Sequence, residues 1–209
     1  MNKVLLSVLL SAFALSAHPT FAQEPYEQVE QAIAELAEGI AGREDELRND
    51  REALYELIDG VLLPRFDRKY AAQLVLGKNW RDADASQRER FIDGFYNSLL
   101  KKYADGVLEF DQERVQLLPF RGDLSKKRTI VKTNVTLSDG TKVAVNYGFA
   151  IRDEGWKMFD VSVEGISYVR NYRAEMESEI RATSLDAVIT RLENDAVVAS
   201  AGTGEVASE

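Results

Sequence analysis

The feature that most constrains the fold is the spacing of apolar residues, which changes along the chain from helical to strand-like and back. Between residues 26 and 109, apolar side chains recur every three or four positions, the period of an amphipathic helix. Between 115 and 163 they alternate with polar residues, as in half-buried strands. The helical period returns from 166 to 192. This order predicts an α+β fold in which helices surround a twisted antiparallel sheet of four strands.

Turn and capping residues divide the first helical part of the chain. Gly42, Pro64 and Gly77 are typical of helix ends, so we expect three helices before residue 78. Ser86 is followed three residues later by Glu89, and this spacing predicts a capping box at the start of a fourth, longer helix.

Two glycine-containing turns separate the last three strands. Loops of three residues, ending at Gly140 and Gly155, keep the apolar rows of neighbouring strands on one face, because a slip of one residue would turn a row over. The pairs that this register predicts are Val135–Val143, Val131–Tyr147, Tyr147–Val161, Val145–Val163 and Phe149–Phe159. One face of the sheet is then apolar, and Trp156 and Met158 are expected on the other.

Residues 1–22 have the three parts of a secretory signal peptide. Lys3 gives a positive start, an apolar run follows from 4 to 17, and Thr20 and Ala22 are the small residues expected before a cleavage site. The apolar run is too short to span a membrane, which needs about 20 residues. We therefore expect export in soluble form to the periplasm of a Gram-negative bacterium.

The remainder of the chain is predicted to form one domain with a tail. No linker rich in Pro, Gly or Ser interrupts the periodic segments, so a single domain is expected at 23–195. After Asp195 the residues are small and polar, which predicts a disordered C-terminal tail at 196–209.

Composition excludes several classes of function. The chain has no cysteine, and its single histidine, His18, lies in the predicted signal peptide. Thiol nucleophiles, Ser–His–Asp triads, iron–sulfur clusters and sites with Cys or His ligands therefore have no residues to build them. A net charge of −9 argues against nucleic-acid binding. We expect no cofactor, no metal and no nucleic-acid partner.

Two blocks of sequence are more specific than the apolar pattern. The first contains Leu62-Leu63-Pro64-Arg65-Phe66-Asp67, then Leu74-Val75-Leu76-Gly77, Trp80-Arg81, Ser86-Gln87-Arg88, Phe91, Phe95 and Tyr103. The second runs from Trp156 to Val169 and continues with Asn171-Tyr172-Arg173. Together they resemble the signature of the MlaC family, periplasmic phospholipid-binding proteins also called toluene-tolerance auxiliary proteins. The resemblance covers residues 26–195, with the elements in the same order.

The resemblance implies a lipid carrier and not an enzyme. It implies an NTF2- or cystatin-like sheet with a deep apolar pocket, which holds phospholipid acyl tails and leaves the head group outside. It also implies two partners, an outer-membrane complex of the lipoprotein MlaA with a porin and an inner-membrane ABC transporter complex of the MlaFEDB type. A monomeric shuttle between them would maintain the lipid asymmetry of the outer membrane.

Apolar residues on the helix faces and on the apolar sheet face are the expected pocket lining. They are Val75, Phe95, Leu99, Tyr103, Val131, Val145, Tyr147, Phe149, Val161, Ile166, Val169 and Tyr172. Ile166 follows a strand-to-helix corner and is expected at the mouth, so Ile166→Glu should fold yet lose lipid. Exposing two tails of ~30 methylene groups would cost on the order of 24 kcal/mol. We therefore expect a volume near or above the upper end of the usual ~300–1,000 Å³.

Two other functions remain open from the residues alone. An NTF2-like pocket enzyme could use Asp160 or Tyr147 as its acid or base, since a fold does not decide function. A periplasmic chaperone or adaptor could bind protein segments in an exposed groove. A polar pocket with a paired acid and base would favour the enzyme, and an open cleft would favour the chaperone.

Overall fold

The computed structural model describes residues 24–201, with side chains to residue 195. The helices are α1 (Pro25–Ile40), α2 (Glu44–Asn49), α3 (Arg51–Leu62), α4 (Arg68–Leu76), α5 (Asn79–Asp82), α6 (Ala85–Leu108), α7 (Tyr168–Ala182) and α8 (Leu185–Ala201). The strands are β1 (Val115–Leu117), β2 (Arg128–Thr136), β3 (Lys142–Arg152), β4 (Gly155–Val163) and β5 (Ile166–Ser167). The predicted α+β class is therefore confirmed. The predicted signal peptide lies outside the described residues.

The sheet has five antiparallel strands in the order β1-β2-β3-β4-β5, so the prediction of four strands was wrong. The additional strand is β5, whose Ile166 pairs with Val163 of β4. A two-residue turn joins these strands, and both of its residues have positive φ, 49° at Glu164 and 79° at Gly165. The helical period was read from Ile166 onwards, but α7 begins only at Tyr168.

The register of the first hairpin is confirmed, and that of the second is only partly so. Four of the five predicted pairs form, but Phe149 pairs with Met158 in place of Phe159. A bulge at this point leaves Phe159 without a partner and shortens the second loop to Asp153-Glu154. Cross-strand partners share a face, so the bulge brings Met158 to the apolar face beside Phe149.

The position of Trp156 changes for the same reason. It pairs with Ile151 and is buried together with Met158 in a core that includes Val29 of α1 and Val131 of β2. Placing Trp156 and Met158 on the opposite face was therefore wrong. Burial of two large apolar side chains against α1 favours the bulged register.

The capping box of α6 forms two residues earlier than predicted. Asp84 accepts a hydrogen bond from the backbone N–H of Gln87 at 2.8 Å, and the Gln87 side chain accepts one from the Asp84 N–H at 3.0 Å. The predicted box at Ser86 and Glu89 was wrong, because Asp84 and Gln87 have the same spacing and the chain enters the helix at Ala85.

Three apolar cores hold these elements together. One lies among α4, α6, α7 and α8 around Phe91 and Leu192. The second lies between the sheet and α1, and the third joins α1, α2, α3 and α6 around Leu47 and Leu54. Helix α8 continues to Ala201, so residues 196–201 of the predicted tail are helical, and 202–209 lie outside the described residues. Within residues 24–201, no helix has the length and hydropathy to span a membrane.

Candidate functional site

An apolar cavity lies between the sheet and helices α3, α4, α6 and α7. Its volume is about 410 Å³. The wall is formed by Ile58, Leu62, Phe66, Ala71, Phe95, Tyr96, Leu99, Leu100, Tyr103, Ala104, Val107, Tyr147, Met158, Phe159, Asp160, Val161, Val163, Tyr168, Val169 and Tyr172. Tyr103 is 41% exposed, so the cavity reaches the surface at this residue.

Seven of the twelve residues predicted to line the site stand on this wall. They are Phe95, Leu99, Tyr103, Tyr147, Val161, Val169 and Tyr172. Helices α6 and α7 each contribute part of the wall. Tyr147 and Val161, which are cross-strand neighbours, contribute the part formed by the sheet. The structure therefore brings together residues that are 77 positions apart in sequence, from Phe95 to Tyr172.

Three of the other predicted residues belong to packed cores and are not part of the wall. Val75 is 1% exposed and packs in the core of α4, α6, α7 and α8. Val131 and Phe149 are also 1% exposed, in the core between the sheet and α1. The bulge in β4 contributes to this placement, because it turns Met158 and Trp156 toward Phe149 and closes the sheet there against α1.

The last two predicted residues, Val145 and Ile166, are also absent from the wall. Val145 is half-buried, with Thr133 and Val163 as its cross-strand neighbours. Ile166 is 66% exposed, because the tight turn at Glu164 and Gly165 folds β5 onto the outer edge of β4. Because Ile166 pairs with Val163, which lies on the wall, its position at the cavity mouth stays a prediction.

Thirteen wall residues were not predicted, and two signals could have found several of them. On α6, Tyr96, Leu100 and Ala104 each follow a predicted lining residue by one position, and Val107 follows the predicted Tyr103 by four. On α3, Ile58 and Leu62 have the same spacing. Met158 and Phe159 could not be found in this way, because the side of the sheet on which each side chain lies depends on the bulge.

Asp160 is the only carboxylate on the wall, and its oxygens already have structural partners. One accepts a hydrogen bond from the Ser167 hydroxyl at 2.6 Å, and the other accepts one from the backbone N–H of Val169 at 3.0 Å. The carboxylate therefore stabilises the first turn of α7, where the helix dipole favours negative charge. No paired base accompanies it on the wall.

The tyrosines of the wall are held in their neutral form. The pKa of Tyr96 lies far above its ordinary value. The larger cause is burial, and the second is the hydrogen bond that the Tyr96 hydroxyl donates to Asp59. Burial also raises the pKa of Tyr147. Neither hydroxyl can therefore act as a base near neutral pH. Within the described residues, no group of three His, Cys, Asp or Glu side chains could hold a metal ion.

Aromatic rings from α6 and α7 pack against one another on the cavity wall. Tyr103 and Tyr168 pack edge to face with ring centroids 5.5 Å apart, and Tyr168 stacks on Tyr172 at 6.4 Å. Tyr172 also packs edge to face against Phe95 at 5.3 Å. These rings occupy space between α6 and α7. The cavity volume of about 410 Å³ lies toward the lower end of the usual ~300–1,000 Å³ and is smaller than the volume predicted from the sequence, which was near or above the upper end.

The two sequence blocks meet at Met158 on the cavity wall. Arg65 and Asp67 flank Phe66, and both form backbone hydrogen bonds with Met158. The Met158 N–H donates to the Arg65 carbonyl at 2.7 Å, and the Asp67 N–H donates to the Met158 carbonyl at 2.8 Å. Asp67 then caps α4 by accepting from the Tyr70 N–H at 2.8 Å. The first block therefore fixes α3 and α4 against β4.

These observations define an α+β protein built around an apolar cavity of ligand size. The family model described as MlaC protein matches residues 30–194, and the chain belongs to the MlaC family. Across this range the chain carries both sequence blocks that resemble the family signature.

Relatives and a solved structure agree with the family. The chain is 23% identical to the intermembrane phospholipid transport system binding protein MlaC of Haemophilus influenzae, over 92% of this chain and 91% of that protein. It is 26% identical to toluene tolerance protein Ttg2D of Pseudomonas putida, over 87% and 83%. The fold matches that of a phospholipid-binding protein from Ralstonia solanacearum, solved in complex with a phospholipid, with a TM-score of 0.75, 22% identity, and coverage of 85% and 99%.

Proposed function

We propose that this protein is a periplasmic phospholipid carrier whose cavity holds the acyl tails. The observation that carries the proposal is the apolar cavity, whose one carboxylate is engaged in capping α7. Such a wall suits a ligand that is bound by burial and needs no catalytic group. The names of the Haemophilus relative and of the Ralstonia structure, both phospholipid proteins, support the same ligand class.

The free energy of tail exposure explains why a carrier is needed. Each methylene withdrawn from water contributes about 0.8 kcal/mol, so two tails of ~30 methylenes cost on the order of 24 kcal/mol to expose. A cavity that shields most of this surface lets the lipid cross the aqueous space between two membranes. Binding need only match the free energy of the membrane, so that contacts with a partner can shift the lipid in either direction.

The proposal extends to the route of the lipid. The chain would be exported by the signal peptide at 1–22 and would act as one domain, 23–195, with an NTF2-like sheet. It would exchange lipid as a monomer with an MlaA–porin complex at the outer membrane and an MlaFEDB-type ABC transporter at the inner membrane. The net charge of −9 supports transfer through protein partners, because an acidic protein is repelled by anionic membrane surfaces.

A matched pair of substitutions tests whether the cavity holds the tails. Leu99→Trp places a larger side chain on the cavity wall, whereas Leu137→Trp makes the same change at an exposed position outside the wall. We expect Leu99→Trp to lower the phospholipid that co-purifies with the protein several-fold, and Leu137→Trp to leave it unchanged. The measurement is phospholipid per protein by mass spectrometry, with thermal unfolding as the check on folding.

A folded Leu99→Trp protein with the full lipid content would contradict the assignment. Ile166→Glu tests the predicted mouth separately: it should fold yet lose lipid, because Ile166 is exposed beside the wall residue Val163. Undiminished lipid in folded Ile166→Glu would show that the entrance does not lie at β5.

A further inference from the structure

A polar groove adjoins the apolar cavity, and the two share one residue. The groove has a volume of about 290 Å³ and lies between α6, α7 and α8. Tyr172 lines both spaces. An apolar chamber next to a polar one is the arrangement that an amphipathic ligand requires, with its apolar part in the first and its polar part in the second.

The boundary between the two spaces carries a positioned ammonium group. Lys102 Nζ donates a hydrogen bond to the Tyr172 hydroxyl at 3.3 Å, and this hydroxyl lies 3.0 Å from the Tyr103 hydroxyl. Lys102 Nζ also lies 5.5 Å from the ring centre of Tyr103 and 5.6 Å from that of Tyr172. The rings of both tyrosines belong to the apolar wall, so the ammonium group lies where that wall ends.

The charges of the groove leave Lys102 available for an anion. Arg191 is engaged by Glu179 at 2.6 Å and by Asp195 at 2.9 Å. Lys101 and Lys102, by contrast, form no ion pair among the side chains of residues 24–195. The groove contains three positive groups, from Lys101, Lys102 and Arg191, and two carboxylates, from Glu175 and Asp195. It therefore has a local excess of positive charge, although the net charge of the chain is −9.

We propose that this groove binds the phosphodiester of the lipid head group, with Lys102 as the direct contact and Lys101 as a second positive charge. The proposal rests on the proposed function, since it requires the tails to occupy the neighbouring cavity. An ammonium group is a compact donor for phosphate oxygens. The Tyr172 hydroxyl holds the Lys102 ammonium group at the boundary between the cavity and the groove, where the head group of a lipid with its tails in the cavity would lie.

The test compares a phospholipid with the diacylglycerol that has the same acyl chains but lacks the phosphoglycerol head group. Lipid-free protein is titrated with phosphatidylglycerol and with diacylglycerol of the same acyl chains, and the ratio of the two affinities is measured. Lys102→Gln should lower the preference for phosphatidylglycerol about two- to fivefold, the range for an exposed charge contact. Lys69→Gln is the control, because Lys69 is exposed on α4 and away from the groove.

Each outcome separates the head-group site from the carrier function. An unchanged preference in Lys102→Gln, with both lipids still bound, overturns the head-group site alone. Absence of binding of either lipid to the unsubstituted protein overturns the carrier function. Inorganic phosphate is the remaining arm: if millimolar phosphate binds lipid-free protein and Lys102→Gln abolishes that binding, the groove is a site for free phosphate and the lipid assignment is overturned. We expect no such binding without the tails.

Discussion

Asp160 shows how a polar residue of the second sequence block serves the fold. Its carboxylate binds the Ser167 hydroxyl and the Val169 N–H, and Ser167 in turn accepts from the Arg170 N–H at 3.1 Å. The preceding turn is held by Glu164, whose N–H donates to the Ala144 carbonyl at 2.9 Å. These bonds set the direction in which α7 leaves the sheet, and thereby the position of its cavity face.

Removal of this carboxylate is expected to cost stability. Asp160→Ala should lower the free energy of unfolding by about 1–2 kcal/mol, the usual cost of a lost helix cap. Asp153→Ala, in the exposed β3–β4 loop, should change it by less than about 0.5 kcal/mol. Urea denaturation measures both. Equal stability of the two variants would show that Asp160 has no structural role and would reopen the enzyme hypothesis.

At the scale of elements, α7 and α8 share an apolar core and are also joined by an ion pair between Glu179 and Arg191. Arg191 donates from Nε and Nη2 to the two carboxylate oxygens of Glu179, each at 2.6 Å. The hydrogen bond from Arg191 lowers the pKa of Glu179 below its ordinary value of 4.5. The same bond raises the pKa of Arg191, so its guanidinium stays charged.

The lowered pKa of Glu179 fixes the sign of a pH dependence. A carboxylate with a depressed pKa in the folded protein stabilises it above the unfolded pKa, and this stability is lost as the pH falls through the folded pKa. Glu179→Gln should therefore reduce stability by about 0.5–1 kcal/mol at neutral pH and progressively less below pH 4.5. Glu89→Gln, on the exposed face of α6, is the control. A destabilisation of Glu179→Gln that persists undiminished in acid would contradict the ion-pair account.

The elements also show what the sequence could predict. The switch in period located the helices and most of the sheet, because periodicity reflects which side of an element is buried. The bulge in β4 was missed because Met158 and Phe159 are both apolar, so the pattern fits Phe149 equally well with either. Asp84 and Ser86 begin equally good capping boxes, and only the entry of the chain into α6 separates them.

The cavity wall was only partly predictable for a related reason. Val75 and Leu99 are both apolar residues on amphipathic helices, yet the first packs in a core and the second faces the cavity. The difference depends on whether the opposing element closes the gap, which is a property of the tertiary structure. Periodicity distinguishes buried from exposed positions, but it does not distinguish a position in a packed core from a position on a cavity wall.

At the scale of the whole molecule, an apolar cavity lies beside packed cores. The wall segments of α6 and α7 face the cavity, whereas Val188 and Ile189 of α8 are fully buried against packed neighbours. In protein stripped of lipid, the apolar wall would lack dispersion contacts, so these segments should then open more readily than α8. Lipid tails would restore the missing contacts.

Hydrogen exchange should therefore respond unevenly to lipid. Loading lipid-free protein with a two-tailed phospholipid is expected to slow amide exchange most at residues 99–107 of α6 and 168–172 of α7. The core of α8 around Val188 serves as the internal reference, and the expected change there is smaller. Protection confined to α8, with no change in the wall segments, would show that lipid binds elsewhere.

The central claim is that the cavity holds the tails of a phospholipid, and native mass spectrometry of the purified protein tests it most directly. Protein purified without detergent is expected to retain a bound species with the mass of a diacyl phospholipid, which fragments to fatty-acid ions. The Leu99→Trp protein should lose this species while remaining folded. A spectrum that shows only the polypeptide, or a bound species without acyl chains, would contradict the account.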